Sequence, residues 1–266
     1  MAVREDSNGF LKHLENWGLD VSAEKGWRSR GRPYNFYPRG VVCHHTASPR
    51  RGGDMPSLNT VVHGRSDLPG PLCHVLLGRS GKVKVIAMGD ANHAGSGGPK
   101  LGIPANEANY FMWGIEAEND GVGEPWPEHQ MDAYAKLCAA LLTWINVHDA
   151  KMVIGHKEWT SRKIDPDFNM RAFRRRVKKV LKAGPSKGVT VHLSKLKFGK
   201  RNKDVLAVKR ALKARGFFKG SLIKFFGPGL RNSYKRWQRH LGYSGKDADG
   251  IPGESSLQAL GFIVKK

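Results

Sequence analysis

Residues 40–47 read GVVCHHTA. Val41 and Val42 favour an extended backbone and Ser48-Pro49 closes the run, so the stretch reads as a short strand that enters a loop at two histidines. Outward from it, Cys73 to Leu77, Lys82 to Ala87 and Trp113 to Ala117 read as further strands, the first two joined by a turn at Ser80-Gly81. Helical periodicities alternate with them. Phe10, Leu11, Leu14 and Trp17 share one face of a short helix that Gly18 stops. Met131, Tyr134, Cys138, Leu141, Leu142 and Ile145 form an apolar face from Glu128 to His148. Met170, Phe173, Val177, Val180 and Leu181 do so from Asn169 to Lys182, leaving a basic outer face. Strands alternating with helices predict an α/β domain.

That pattern breaks at residues 183–191, AGPSKGVTV, where Gly, Pro and Ser occur without an apolar period. The reading is a linker there, between one domain over 1–182 and a second over 192–266. In the second, Val205, Val208 and Leu212 make one amphipathic stripe, Leu230, Tyr234, Trp237 and Leu241 another, and Glu254 to Leu260 a short third helix. The turns Asp249-Gly250 and Pro252-Gly253 separate the last two. A small all-α, three-helix domain is predicted.

Composition narrows the class. With 39% hydrophobic and 26% charged residues the chain belongs with globular proteins and not with disordered or fibrous ones. Its formal charge is +22, and residues 186–266 carry most of it, 19 Lys and Arg against 4 Asp and Glu. An anionic partner follows, either nucleic acid or a charged wall polymer. Cys43, Cys73 and Cys138 sit among apolar neighbours, are odd in number and read as reduced, buried thiols. The N-terminus lacks the apolar core of a signal peptide, and no segment approaches the ~20 apolar residues that span a bilayer. Synthesis in a cytoplasm without a signal peptide is the expectation.

Hydrolysing an amide at neutral pH needs a strong nucleophile and a partner for the developing oxyanion, and a zinc ion that activates water serves both needs. Such a site takes three protein ligands and leaves a position for water. His44, His156 and Asp165 are the candidates. Neighbouring strand residues point to opposite faces, so only one of His44 and His45 reaches a metal. His156 and Asp165 stand nine residues apart, a spacing that suits a loop folding back on itself. On the strand through Trp113 to Ala117, Ile115 and Ala117 face the core, and Glu116 and Glu118 share the other side.

The blocks GVVCHHTAS, NHAGSGG, GIEAEND and GHKEWTSRKIDPDFNM occur in this order and resemble the signature blocks of the zinc-dependent N-acetylmuramoyl-L-alanine amidases. That family is related to the peptidoglycan recognition proteins and includes many phage endolysins. The resemblance covers about residues 35–182, and HGRSDLPGPLCHVLLGRSG resembles amidases encoded by phages of actinobacteria. It implies a mixed central sheet flanked by helices, with Zn2+ held by His44, His156 and Asp165. Some relatives carry Cys in place of Asp165; both are anionic, so affinity should change more than mechanism. The resemblance makes Glu116 the catalytic acid or base, leaves Glu118 as its neighbour, and gives Lys163 the stabilisation of the tetrahedral intermediate. His93 and Asn92 fall where relatives line the substrate groove, His45 becomes a neighbour of the metal site on the structural or substrate side, and His74 stays open between core and cleft.

FGKRNKDVLAVKRALKARGF and NSYKRWQRHLGYSGKDADGIPGESSLQALG resemble a small three-helix peptidoglycan-binding domain. Lys209 replaces a common glutamine and residues 217–229 are longer than usual, both departures from the pattern. Asp249, Gly250 and Gly253 are implied to shape a wall-binding turn. Lys209, Arg210, Lys213 and Arg215 could instead contact phosphate, but no recognised nucleic-acid motif accompanies them and nucleic acid is not expected. The resulting expectation is a monomeric endolysin that cuts between N-acetylmuramic acid and L-alanine and lyses its host. Its partners are peptidoglycan and anionic wall polymers, reached after a separate factor permeabilises the membrane. A non-catalytic peptidoglycan-recognition protein and a metallopeptidase acting within the stem peptide are the alternatives.

Overall fold

Three neighbouring strands, buried along almost their whole length, form the centre of the first unit. The computed structural model describes residues 7, 9–32, 36–185 and 189–266, and the chain divides into units Met1–Pro185 and Ser186–Lys266. The expected linker at 183–191 spans this division; residues 186–188 within it, like 1–6 of the N-terminal segment, lie outside the described residues.

In the first unit the strands are β1 (Val21–Ala23), β2 (Gly40–His45), β3 (Gly64–Arg65), β4 (Leu68–Pro69), β5 (Val75–Leu77), β6 (Val83–Val85), β7 (Met112–Ala117) and β8 (Val153–Gly155). The helices are α1 (Phe10–Asn16), α2 (Leu58–His63), α3 (Ala108–Phe111), α4 (Glu128–Trp144), α5 (His156–Trp159) and α6 (Met170–Ala183). Six strands make one mixed sheet in the order β1-β6-β5-β7-β2-β8, parallel except between β5 and β6, while β3 and β4 form a separate antiparallel pair. Parallel strands covered on both faces lose their polar alternation, which is why GVVC and VIG carry no period-2 signal.

The two faces of the sheet differ in what covers them. Val41, Cys43, Trp113 and Ile115 pack with Phe10 and Leu14 of α1, Tyr134, Leu137, Cys138 and Leu141 of α4, and Phe173 and Val177 of α6. On the other face Val42, Met112 and Ile154 meet Ala94, Ile103, Ala108 and Trp159. Helix α4 ends at Trp144, short of the expected His148, because the chain turns through a left-handed Asn146 at φ 56°. Asn169 caps α6 by accepting the Ala172 N–H at 2.9 Å. All three cysteines are buried and free, with the Cys43 and Cys138 sulfurs 3.8 Å apart.

Tyr134 joins the helix layer to the strand that carries the histidines. The β2–β8 ladder stops at Cys43, and the Tyr134 hydroxyl accepts the His44 N–H and donates to the His44 carbonyl, both at 3.0 Å. Tyr134→Phe removes the hydroxyl's bonds to both main-chain groups, which keep the β2–β7 ladder, and is expected to cost about 0.5–1.5 kcal/mol in urea melting. A loss near zero would mean that the hydroxyl is dispensable.

The second unit contains the three expected helices, α7 (Lys203–Ala214), α8 (Pro228–His240) and α9 (Glu254–Gln258). It also contains a parallel pair of short strands absent from the sequence reading, β9 (Thr190–His192) and β10 (Ile263–Lys265). Val205, Val208 and Leu212 pack against Leu230, Tyr234, Trp237 and Leu257. The two departures from the expected pattern meet here: Lys209 is buried and its ammonium lies 5.1 Å from the Phe218 ring centroid, while Phe226 enters the core. No helix among the described residues is long and apolar enough to cross a membrane.

Candidate metal centre and active site

Strand register brings the chemical groups to one level. His44 pairs with Glu116 across β2 and β7, and Cys43 pairs with Gly155 across β2 and β8. His156 follows Gly155 directly, so it stands beside His44 at the carboxyl ends of parallel strands, where open α/β sheets place their ligands. Asp165 arrives from the loop after α5. The Lys157 N–H donates to the Asp165 carbonyl at 2.8 Å, and the Lys157 ammonium donates to the Phe168 carbonyl at 2.8 Å, which folds that loop back over His156.

Three potential ligand atoms converge. His44 Nδ1 lies 3.0 Å from His156 Nδ1 and 3.0 Å from Asp165 Oδ2, and His156 Nδ1 lies 3.3 Å from the same oxygen. Ligands about 2.0–2.1 Å from a tetrahedral zinc stand about 3.3 Å apart, close to these separations. His156 Nε2 donates to the Ala94 carbonyl at 2.9 Å, which in the neutral ring leaves Nδ1 as a bare lone pair. Burial, with smaller opposing contributions from Asp165, holds His44 down to about 4. Burial alone would raise Asp165, but its contacts with the two imidazoles outweigh that and keep it below the ordinary carboxylate range. Two neutral imidazole nitrogens and one carboxylate oxygen facing a common point fit a divalent cation, and zinc suits this N,N,O set.

Glu116 stands next to this cluster. Its Oε1 is 4.0 Å from His44 Nδ1, its Oε2 is buried without a hydrogen-bond partner, and its side chain is 17% exposed. Burial pushes its carboxyl well up, reinforced by the negative charges of Asp165 and Glu118 and opposed by Lys163 and Arg65. Lys163 is exposed on the loop before Asp165, close enough for its charge to act on both Glu116 and His44. The structure therefore brings together His44, His156, Asp165, Glu116 and Lys163.

The other sequence candidates occupy different places. Glu118 is fully buried and accepts bonds from the Thr46, Ser48 and Ser57 hydroxyls and the Ser57 N–H, so it ties the loop after β2 to the end of β7. His45 shares the α4-facing side of β2 with Cys43, and its Nδ1 is 3.6 Å from Asp167. A Cβ on Gly121 would fall 2.4 Å from its ring. Asn92 donates to the Pro69 carbonyl at 2.9 Å and holds the β4 segment. His93, only 7% exposed, lies behind His44, with its Nδ1 3.1 Å from His44 Nε2. His74 is core: it stacks on Phe36 at 4.3 Å and accepts the Gly114 N–H.

Sequence reasoning missed three contributors. They are Tyr134, the Ala94 carbonyl and Asn109, whose Oδ1 accepts the N–H groups of His93 and Ala94 at 3.1 and 2.8 Å. Each acts on main chain or through it, leaving no spacing signature; only the adjacency of His93 and Ala94 in NHAG hinted at the last two.

In the second unit the DG-x-x-G turn is fastened to α8. Asp249 Oδ1 accepts the Ile251 N–H and the Gln238 amide, and the Gly250 N–H donates to Gln238 Oε1. Gly250 sits at φ 77°, and a Cβ there would fall 2.4 Å from the Arg231 carbonyl oxygen, so both conformation and space require glycine. The Gly253 N–H donates to Ser256 Oγ, which also meets the Tyr234 hydroxyl.

Among solved structures the chain resembles a selenomethionine AmpD derivative, at 22% identity over 61% of this chain and 97% of that one, with a TM-score of 0.45. It also resembles the endolysin amidase LysCS from Clostridium intestinale URNW, at 19% identity over 59% and 94%, TM-score 0.41, and the catalytic domain of XlyA, at 19% over 60% and 99%, TM-score 0.45. Among curated proteins nothing matches. The family described as N-acetylmuramoyl-L-alanine amidase matches residues 33–168, slightly more than half of the chain, and spans every residue of the converging cluster. The chain belongs to the N-acetylmuramoyl-L-alanine amidase family and is a peptidoglycan amide hydrolase.

Proposed function

We propose that this chain is a zinc-dependent amidase of the endolysin type, cutting the bond between the lactyl group of N-acetylmuramic acid and L-alanine. The observation that carries this reading is the convergence of His44 Nδ1, His156 Nδ1 and Asp165 Oδ2 within 3.0–3.3 Å, beside the unpartnered Glu116 Oε2. A zinc ion held by those atoms supplies a Lewis acid that makes water more acidic and draws charge from a carbonyl.

This chain's own residues do the rest. Glu116 Oε2 takes a proton from the attacking water as the new C–O bond forms. As the C–N bond breaks, the same carboxyl returns a proton to the departing nitrogen, which leaves as the free amine of L-alanine. The Lys163 ammonium offers positive charge to the oxygen that becomes negative between these steps. Of the remaining candidates, Asn92 holds the β4 segment and His93 lies against His44, while His45 faces α4 on the other side of β2. The second unit, with Asp249, Gly250 and Gly253 in its turn, serves to hold the enzyme on the wall. Its excess of Lys and Arg suits an anionic polymer, with an attraction that weakens as salt rises. Delivery to the wall, in this reading, relies on a separate membrane-permeabilising factor.

Mass spectrometry of peptidoglycan digested by the zinc-loaded chain tests the reaction. Released stem peptides should begin with a free L-alanine amine, and the glycan should carry free lactyl carboxyls without new reducing ends. Cuts inside the stem peptide, or binding without release, would overturn the proposal.

A further inference from the structure

We propose that His93 is a positioning residue: it holds His44 in the Nε2–H tautomer, keeping the His44 Nδ1 lone pair available to the metal. This rests on the zinc reading above.

A chain of hydrogen bonds fixes the tautomer. His93 Nε2 lies 3.1 Å from the Met112 carbonyl oxygen, which can only accept, so the proton of the neutral His93 ring sits on Nε2. His93 Nδ1 is then an acceptor, and His44 Nε2, 3.1 Å away, must donate to it. That leaves His44 Nδ1 bare. Without His93 the opposite tautomer is attractive, because Nδ1–H of His44 would donate to Asp165 Oδ2 at 3.0 Å and fill the position a metal needs.

The ring is seated for this task. A Cβ on Gly114 would fall 2.4 Å from His93 Cγ, so the ring lies directly on the bare backbone of β7. Asn109 Oδ1 accepts the N–H groups of both His93 and Ala94. The Ala94 carbonyl in turn accepts from His156 Nε2. One pinned dipeptide, residues 93–94, thereby sets the tautomers of both imidazole ligands, the first through a side chain and the second through a main-chain oxygen. Metal-bound histidines are oriented by such partners, whose removal weakens metal binding about 10–100-fold.

The test uses the full chain in three forms: wild type, His93→Phe, which keeps a ring but no acceptor, and His93→Asn, whose Oδ1 can stand in for Nδ1. Nitrogen-15 NMR of the metal-free protein reads the His44 tautomer, and competition with a chromophoric chelator reads zinc affinity. The expected result is Nε2–H in the wild type, a shift toward Nδ1–H with a roughly 10–100-fold loss of zinc affinity in His93→Phe, and recovery of most of that loss in His93→Asn. A wild-type His44 protonated on Nδ1, or a folded His93→Phe within about twofold of wild-type affinity, overturns the proposal. Should His93→Phe fail to fold, the wild-type tautomer and His93→Asn still decide. If the wild type takes no zinc, the zinc reading fails, while the His44 tautomer continues to test His93.

Discussion

Replacing Asp165 by alanine is expected to strip zinc from the purified chain and lower peptidoglycan cleavage by at least about a hundredfold. Among the described residues Asp165 Oδ2 is the anion that touches both imidazole nitrogens in the cluster, at 3.0 and 3.3 Å, and without it the cluster keeps only two neutral rings as ligands. Asp165→Cys restores an anionic ligand and should recover metal binding with altered affinity. Elemental analysis together with a wall-clearing assay reads both effects. Full activity in a zinc-free Asp165→Ala protein would mean that the cluster is not the catalytic centre.

Glu116→Gln should lower the cleavage rate by about 10²–10⁴-fold while leaving zinc content unchanged. The amide keeps the shape of the carboxyl but cannot carry a proton from water to the leaving nitrogen. Glu116 Oε2 is unpartnered and its burial next to Asp165 is unfavourable to charge, the environment expected of a carboxyl with the proton-transfer role proposed above. The two variants separate the roles of the residues: Asp165→Ala loses the metal and the rate together, whereas Glu116→Gln loses the rate alone. A Glu116→Gln protein that also failed to bind zinc would make Glu116 part of the metal site.

Much of this arrangement was legible in the sequence, and what was not has physical reasons. The strand at residues 40–47 and the alternation around it located β2, β5, β6 and β7, because each carries an apolar run bounded by turn residues. β1 and β8, at the edges of the sheet, are no shorter than β5 and β6 but lack a turn signal like the Ser80-Gly81 that joins that pair. Strand alternation required His44 and His45 to diverge, and they do so across β2. It did not reveal that Glu118 is consumed by three hydroxyls and a backbone N–H from the loop after β2. That competition depends on residues some 60–70 positions away in the chain. His93 was expected along the substrate groove; its place against His44 was not legible, because it depends on Gly114 of another strand offering a bare surface. In the second unit, Lys209 and the lengthened segment 217–229 read as separate irregularities, yet the Lys209 ammonium lies against Phe218 of that segment.

The most direct test of the central claim is anomalous diffraction at the zinc edge from crystals of the zinc-loaded chain. On that claim, one strong peak is expected about 2.0–2.2 Å from His44 Nδ1, His156 Nδ1 and Asp165 Oδ2, with Glu116 beside it but not bound to it. A peak that excludes any of those three atoms, or a chain that takes up no zinc at all, would contradict it.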